Sequence, residues 1–157
     1  MRLSNIVTKK GDSGKTSIGS GERVSKDHPR VHAMGAVDHL NSTIGWSMIE
    51  ANNIFKDDLK EIQNDLFDLG AELAVPSLEN KKLKLERLDW LESRIKDINN
   101  NLKPLTEFIL PGGTEFASRL HLARTECRHA ERQVVTVNLK LDNNHIPYLN
   151  RLSDLLW

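Results

Sequence analysis

A single cysteine, Cys127, is all the thiol this 157-residue chain carries, so no disulfide forms within it. Net charge is lacking too: 22 acidic and 22 basic side chains cancel, and no global field draws the chain to nucleic acid or to a membrane surface. Any preference for an anion must therefore arise from local placement. No apolar run is long enough to span a bilayer. The opening residues, Met1-Arg-Leu-Ser-Asn-Ile-Val7, lack the apolar centre of a signal peptide and the arginine-rich amphipathic character of a transit peptide. Internal repeats and low-complexity stretches are missing as well. The expectation is one cytoplasmic domain over residues 1–157, long enough to build a real core.

What is present is helical periodicity after an irregular start. Residues 1–28 read as a non-helical arm: Thr8-Lys-Lys-Gly-Asp-Ser-Gly-Lys-Thr-Ser17, then Gly19, Gly21 and Glu22-Arg-Val-Ser-Lys-Asp-His28, are basic, glycine-rich and poor in apolar residues. Gly11-Asp-Ser-Gly-Lys-Thr16 places two residues between its first glycine and the Gly-Lys pair where a P-loop places four. With no buried strand before it and no helix after it, it is not a Walker A motif. Its backbone amides, Lys9, Lys10, Lys15, Lys26 and the hydroxyls of Thr16 and Ser17 could still wrap phosphates as a nest; a solvated arm is the plain alternative.

Pro29 opens a first helix of about 25 residues, capped by Ser25 or Asp27 and carrying Met34, Val37, Asn41, Ile44 and Met48 at helical spacing. Asp38 falls beside that stripe, either as a half-buried carboxylate that needs a cation or as a surface residue. Asp57 or Asp58 caps a second helix with Leu59, Ile62, Leu66, Leu69 and Leu73 in register, stopped by Pro76. A third carries Leu88, Leu91, Ile95 and Ile98. Phe108-Ile-Leu-Pro-Gly-Gly113 is an apolar connection, expected as a plug over the core with a ligand contact as the alternative. Thr114 caps the fourth helix. The fifth begins near Pro147, with Leu149, Leu152, Leu155 and Leu156 on one side and Asn150 one turn from Asp154. At about 11 residues it is short, so further turns are expected beyond Trp157. Five helices without a convincing strand predict an all-α fold: an antiparallel five-helix bundle over 29–157 with ferritin-like up-down topology.

The fourth helix carries the unusual pattern. With Arg124 at zero, Arg128, Glu131 and Arg132 fall at about 40°, −20° and 80°, directly beside an apolar stripe of Leu120, Ala123, Cys127, Ala130 and Val134. Arginines flanking a buried face are either a solvated rim whose stems cover the core edge or an anion site, since guanidinium groups on successive turns suit a polyphosphate. Glu126-Cys-Arg-His129 also matches half of a di-metal bundle signature, but it falls on the outer face and has no second copy. A di-metal carboxylate bundle is therefore a distant reading, and a non-catalytic bundle that binds an acidic partner is the nearer alternative.

Together the segments resemble the trimeric, helical-bundle ATP:corrinoid adenosyltransferases of the propanediol-utilisation type. The likeness rests on Thr8-Lys-Lys-Gly-Asp-Ser-Gly-Lys-Thr16, on Asp27-His-Pro-Arg-Val31 with Gly35-Ala-Val-Asp-His-Leu-Asn-Ser42 and Ile44-Gly45, on Phe108-Ile-Leu-Pro-Gly-Gly113, on Ala123-Arg-Thr-Glu-Cys-Arg-His-Ala-Glu-Arg132, and on Tyr148-Leu-Asn-Arg-Leu-Ser-Asp154, all in order. The resemblance implies transfer of the 5′-deoxyadenosyl group of ATP to the cobalt of cob(I)alamin, giving adenosylcobalamin and triphosphate at sites between subunits of a homotrimer. By position, residues 1–28 are the ATP-binding arm, with Thr8, Lys9, Lys10, Gly11, Thr16, Ser17 and Lys26 on the nucleotide. Arg128, Glu131, Arg132 and Asn150 complete the site from the bundle, Arg128 and Arg132 being catalytic, with Mg²⁺ on the phosphates rather than on a protein metal site. Asp38 and Arg124 form a structural ion pair, and Phe108 lies against the corrin. A reductase that supplies cob(I)alamin and an enzyme that uses adenosylcobalamin are the implied partners. Two residues depart from the family pattern: His129 stands where a second consecutive arginine is common, and His39 where an acidic residue usually follows the first-helix aspartate.

Overall fold

The second-helix stripe forms one wall of the core. In the computed structural model, which describes residues 7–75, 82–104, 106–107, 109–138 and 143–157, Leu59, Ile62, Leu66, Leu69 and Leu73 are all at most 5% exposed. Each such burial contributes about 1.5–3 kcal/mol. After a short hairpin of β1 (Lys15–Ser17) and β2 (Arg23–Ser25) come α1 (Pro29–Ser47), α2 (Asn53–Ala74), α3 (Leu85–Asn99), α4 (Glu115–Asn138) and α5 (His145–Leu155). Helix α1 packs on α2 and α4, and α5 lies against α4 and α3. Val37, Leu40 and Ile44 of α1, Ala123, Cys127, Ala130 and Val134 of α4, and Tyr148, Leu149 and Leu152 of α5 close one contiguous core.

Helix boundaries follow caps other than those expected. At α1 the His28 side chain accepts the Arg30 N–H at 3.1 Å, in place of Ser25 or Asp27. This helix is 19 residues long, shorter than the spacing suggested, because Asn52 stops the run early and caps α2 by accepting the Phe55 N–H at 3.1 Å. Asp57 and Asp58 lie inside α2, where Asp58 accepts from Arg94 of α3 at 2.5 and 3.1 Å. Thr114 caps α4 as anticipated, its hydroxyl accepting the Ala117 N–H at 3.2 Å. Helix α5 starts two residues before Pro147, which occupies its first turn.

The arm holds two strands where none was expected. They are antiparallel, pairing Lys15 with Ser25, Thr16 with Val24 and Ser17 with Arg23. Three residues are too few to show a period of two, so the sequence hides them. Gly21, with φ +85°, takes the left-handed conformation that closes the turn. Gly19 is required for another reason: a Cβ there would stand 2.8 Å from Val75 Cγ2 and 3.1 Å from Ala74 Cβ. The hairpin tip thus lies flat on the end of α2. Close by, the Arg30 guanidinium donates to the Leu73 carbonyl at 2.8 Å.

Two buried carboxylates tie α2 to its neighbours. Asp65 accepts from Arg87 Nε at 2.7 and 2.9 Å and from the Tyr148 hydroxyl at 2.7 Å. Glu72 accepts the amides of Lys82 and Leu83 at 2.6 and 2.8 Å, and its other oxygen meets His145 Nε2 at 2.9 Å. Burial alone would raise the Glu72 pKa, but the Leu83 amide, His145 and the Lys82 amide outweigh it and hold the carboxyl below its ordinary value. Burial, joined by the Asp65 charge, pushes the Tyr148 phenol well above its ordinary range. Arg87 is held above its usual value because Asp65 more than offsets the effect of burial.

The described apolar residues of the connection before α4 do not plug the core, and Phe108 lies outside the described residues. Leu110 is 91% exposed and Ile109 is exposed as well. The core ends there on Phe116 and Leu120 of α4, which pack against it.

Candidate active site

Helix α4 turns its small residues inward and its arginines outward. Ala123, Cys127, Ala130 and Val134 are fully buried, so Arg128 and Arg132 emerge exposed and Glu131 half-buried on the adjoining stripe. One Arg132 nitrogen donates to the Arg128 carbonyl at 3.0 Å, while the Arg128 side chain makes no hydrogen bond or ion pair among the described residues. From α5, Asn150 Nδ2 donates to Glu131 Oε1 at 3.4 Å, and Asn150 Oδ1 accepts from Arg151 at 3.3 Å. Arg128, Glu131, Arg132 and Asn150 are thus brought onto one surface, as the sequence suggested.

Charge pairing separates the arginines, although Arg23 and Arg30 bind carbonyls and Arg124 lies over Trp157, all three without an acidic partner among the described residues. Arg87, Arg94, Arg119 and Arg151 each sit on a carboxylate. Arg128 and Arg132 have no acidic partner among the described residues, although the chain holds as many acids as bases. Unpaired guanidiniums on successive turns suit an external anion. Nothing beside them acts as a nucleophile. Cys127 is buried, its pKa pushed well above the ordinary range by burial and by the neighbouring Glu131 charge, and its thiol donates to the Leu149 carbonyl at 3.1 Å.

The arm gathers a second positive cluster. Lys9 (φ 57°) and Gly14 (φ 75°) bend the chain, and the Gly14 N–H donates to the Gly11 carbonyl at 3.1 Å. The Lys26 ammonium lies over Gly11, 3.2 Å from where a Cβ would stand, and Arg23 donates to the Lys10 carbonyl at 3.1 Å. Lys10, Gly11 and Lys26 therefore converge, with exposed Thr8 and Lys9 leading into them. Thr16 and Ser17 do not share a surface. Paired residues of an antiparallel ladder face the same side, so half-buried Thr16 faces with buried Val24, and Ser17 faces with exposed Arg23. Among the described residues no hydrogen bond or ion pair joins this arm to Arg128, Glu131, Arg132 or Asn150.

The remaining expected site residues are dispersed. Asp38 is exposed rather than half-buried and forms no ion pair with Arg124 within the chain. Arg124 is half-buried, its guanidinium 4.8 Å from the centre of the Trp157 ring and its Nε buried without a hydrogen bond. His39, the residue after Asp38, instead meets Glu126 of α4 at 3.2 Å, which engages the acid of the Glu126-x-x-His129 pattern. His129 is half-buried on the α4 surface. Phe108 lies outside the described residues. Ile109, Ile95, Ile98, Leu102, Asp154 and Trp157 line an open hollow. Sequence reasoning passed over the buried pairs at Asp65 and Glu72, though an acid spaced one turn from Ile62 and Leu69 on a leucine stripe was their visible signal.

Fold and charge together define an all-α bundle protein with two exposed arginines, unpaired among the described residues, on one helix face. The family model for cobalamin adenosyltransferase matches residues 6–157, and the chain belongs to that family. It is 44% identical to a cobalamin adenosyltransferase of Cupriavidus metallidurans, over 99% of this chain and 86% of that protein. Identity to the corrinoid adenosyltransferase PduO of Citrobacter freundii is 42%, over 97% of this chain but 48% of the relative, so the chain spans about half the length of that protein. Among solved structures, a phenylalanine variant of a PduO-type ATP:corrinoid adenosyltransferase from Lactobacillus reuteri, complexed with cobalamin and ATP, is similar with a TM-score of 0.90 at 39% identity, covering 97% of this chain and 89% of that one. An arginine-to-lysine variant of the PduO-type enzyme from the same organism, complexed with ATP, gives a TM-score of 0.88 at 41% identity, over 96% and 89%.

Proposed function

We propose that this ATP:corrinoid adenosyltransferase joins the 5′-deoxyadenosyl group of ATP to the cobalt of cob(I)alamin. The observation that carries the reading is the unpaired Arg128–Arg132 stripe, braced by Glu131 and Asn150, in a chain of this family. The cobalt(I) electron pair attacks C5′, the C5′–O5′ bond breaks, and its electrons leave with triphosphate. Cobalt is the nucleophile, so the protein needs no activated serine or cysteine. Its contribution is alignment of C5′ with cobalt and stabilisation of charge on the departing phosphates, which Arg128 and Arg132 supply from α4.

Lys9, Lys10, Gly11 and Lys26, with Thr8, Thr16 and Ser17, are proposed to wrap the nucleotide from the arm. The opposite facings of Thr16 and Ser17 assign direct phosphate contact to one of them and support of the hairpin to the other. Mg²⁺ fits the donors at hand: Glu131 has no cationic partner among the described residues, and Mg²⁺ commonly takes one or two carboxylates together with substrate phosphates. When bound it would neutralise charge on the triphosphate. Phe108 is proposed to lie against the corrin, where excluding water would favour cobalt with no lower ligand.

A homotrimer accounts for the separation of the two positive clusters. Arm and α4 stripe make no polar contact within one chain, so a site that uses both is best completed between copies. Asp38 and Arg124, each lacking an ionic partner, are proposed to pair across that boundary. The cytoplasm is the proposed location, with a cobalamin reductase upstream and an adenosylcobalamin-dependent enzyme downstream. The test mixes the protein, Mg-ATP and chemically reduced cobalamin and follows triphosphate release alongside the cobalt absorption change. Triphosphate without a cobalt–carbon product, or neither, would sink the assignment.

A further inference from the structure

We infer that Tyr148 and Asp65 are positioning residues for the ATP site: their buried hydrogen bond sets the rotation and height of α5 and so delivers Asn150 to Glu131. This rests on the reading of Asn150 as part of that site. Tyr148 and Asn150 lie two residues apart, about 200° around the helix. The first points to α2 and the second to α4, where Asn150 donates to Glu131. Helix α5 therefore behaves as a rigid strut whose buried side fixes what its outer side can reach.

Leucine contacts alone would fix that strut loosely. Leu149 and Leu152 bury area on this short helix, but apolar contact is non-directional and tolerates small rotations. The Tyr148 bond is directional. Asp65 is 5% exposed and is anchored as a carboxylate by Arg87 of α3, whose Nε reaches both oxygens. Arg87 is itself steadied over the Trp90 ring at 4.4 Å. A carboxylate only accepts, so the phenol must donate to it, and at 2.7 Å this is a charge-assisted bond with a single geometry. The contact it governs has little slack. At 3.4 Å the Asn150–Glu131 bond is near the limit of hydrogen-bond length, so a slight turn of α5 breaks it. The amide cannot simply flip to compensate, because its oxygen is held by Arg151 at 3.3 Å.

Three full-length variants test this: Tyr148→Phe, Asn150→Ala and the double variant, with Mg-ATP affinity read by calorimetry well below each melting midpoint. Asn150→Ala is expected to weaken ATP binding about tenfold, and Tyr148→Phe by roughly three- to tenfold. If Tyr148 acts through Asn150, the double variant matches Asn150→Ala to within about twofold. A merely structural tyrosine would lower the melting temperature yet leave ATP affinity untouched, or its effect would multiply with that of Asn150; either result overturns the inference. Unchanged affinity in Asn150→Ala alone removes that residue from the ATP site and the positioning role with it. Asp65→Asn, which keeps side-chain shape while weakening both anchoring bonds, must reproduce the Tyr148→Phe pattern, including its loss in the Asn150→Ala background. If it does not, the inference fails even where Tyr148→Phe folds poorly.

Discussion

On the outside of α4, Arg128 and Arg132 stand without a carboxylate, whereas on α2 the buried Asp65 and Glu72 each take three hydrogen bonds. The two regions use charge in opposite ways. In the interior an unpaired ion costs several kcal/mol, so charge there survives only when its partners are built in. At the surface an unpaired guanidinium costs little, because water solvates it until a ligand replaces the water. Pairing within the chain therefore marks architecture, whereas Arg128 and Arg132, without a carboxylate among the described residues, stay open to an external anion, as proposed.

Substitutions that confuse the two regions should break the contrast. The largest effect is expected on the outer face: Arg128→Ala should lower turnover about 10²-fold or more with the melting temperature unchanged. Near-normal adenosylcobalamin formation by that variant would return Arg128 to the solvated rim. In the interior the pattern reverses. Glu72→Ala removes the acceptor of the buried Lys82 and Leu83 amides and should cost about 3–5 kcal/mol of stability by urea denaturation, and a loss below 1 kcal/mol would mean that water satisfies those amides. Asp38→Asn tests a residue that is exposed in one chain and proposed as paired in the assembly. Sedimentation should show weaker trimers and assays a lower rate, whereas an intact trimer with full activity would leave Asp38 on the solvated side of the contrast.

Acid titration should give the smallest effect. The folded pKa of Glu72 lies below its ordinary value of 4.5. Its contribution to stability is thus fully present above that value and disappears as pH falls through the folded pKa. The melting temperature of Glu72→Gln should accordingly fall less steeply than that of the parent chain below pH 4.5. Parallel curves would show that Glu72 titrates alike in folded and unfolded states.

Periodicity carried the helices well, because a stripe such as Leu59, Ile62, Leu66, Leu69 and Leu73 leaves α2 one face to bury. It carried the arginine cluster too, since neighbours on a helix face are fixed by geometry. Long-range pairing was not legible. Tyr148 and Asp65 are 83 residues apart, and nothing local to either announces the other. The β1–β2 hairpin was lost for want of length. For Asp38 the sequence left a half-buried and a surface position open, because a helical wheel places a residue beside a stripe without saying what packs there; the structure exposes it.

Gly19 bears on the role proposed for the arm at a nucleotide. With the hairpin tip seated flat on Ala74 and Val75, the lysines around Gly11 are held at a high effective concentration near the bundle, and closing on a phosphate chain forfeits less chain entropy than it would for a free tail. A side chain at position 19 would lift that seat. The lysines would keep their charge and lose their address.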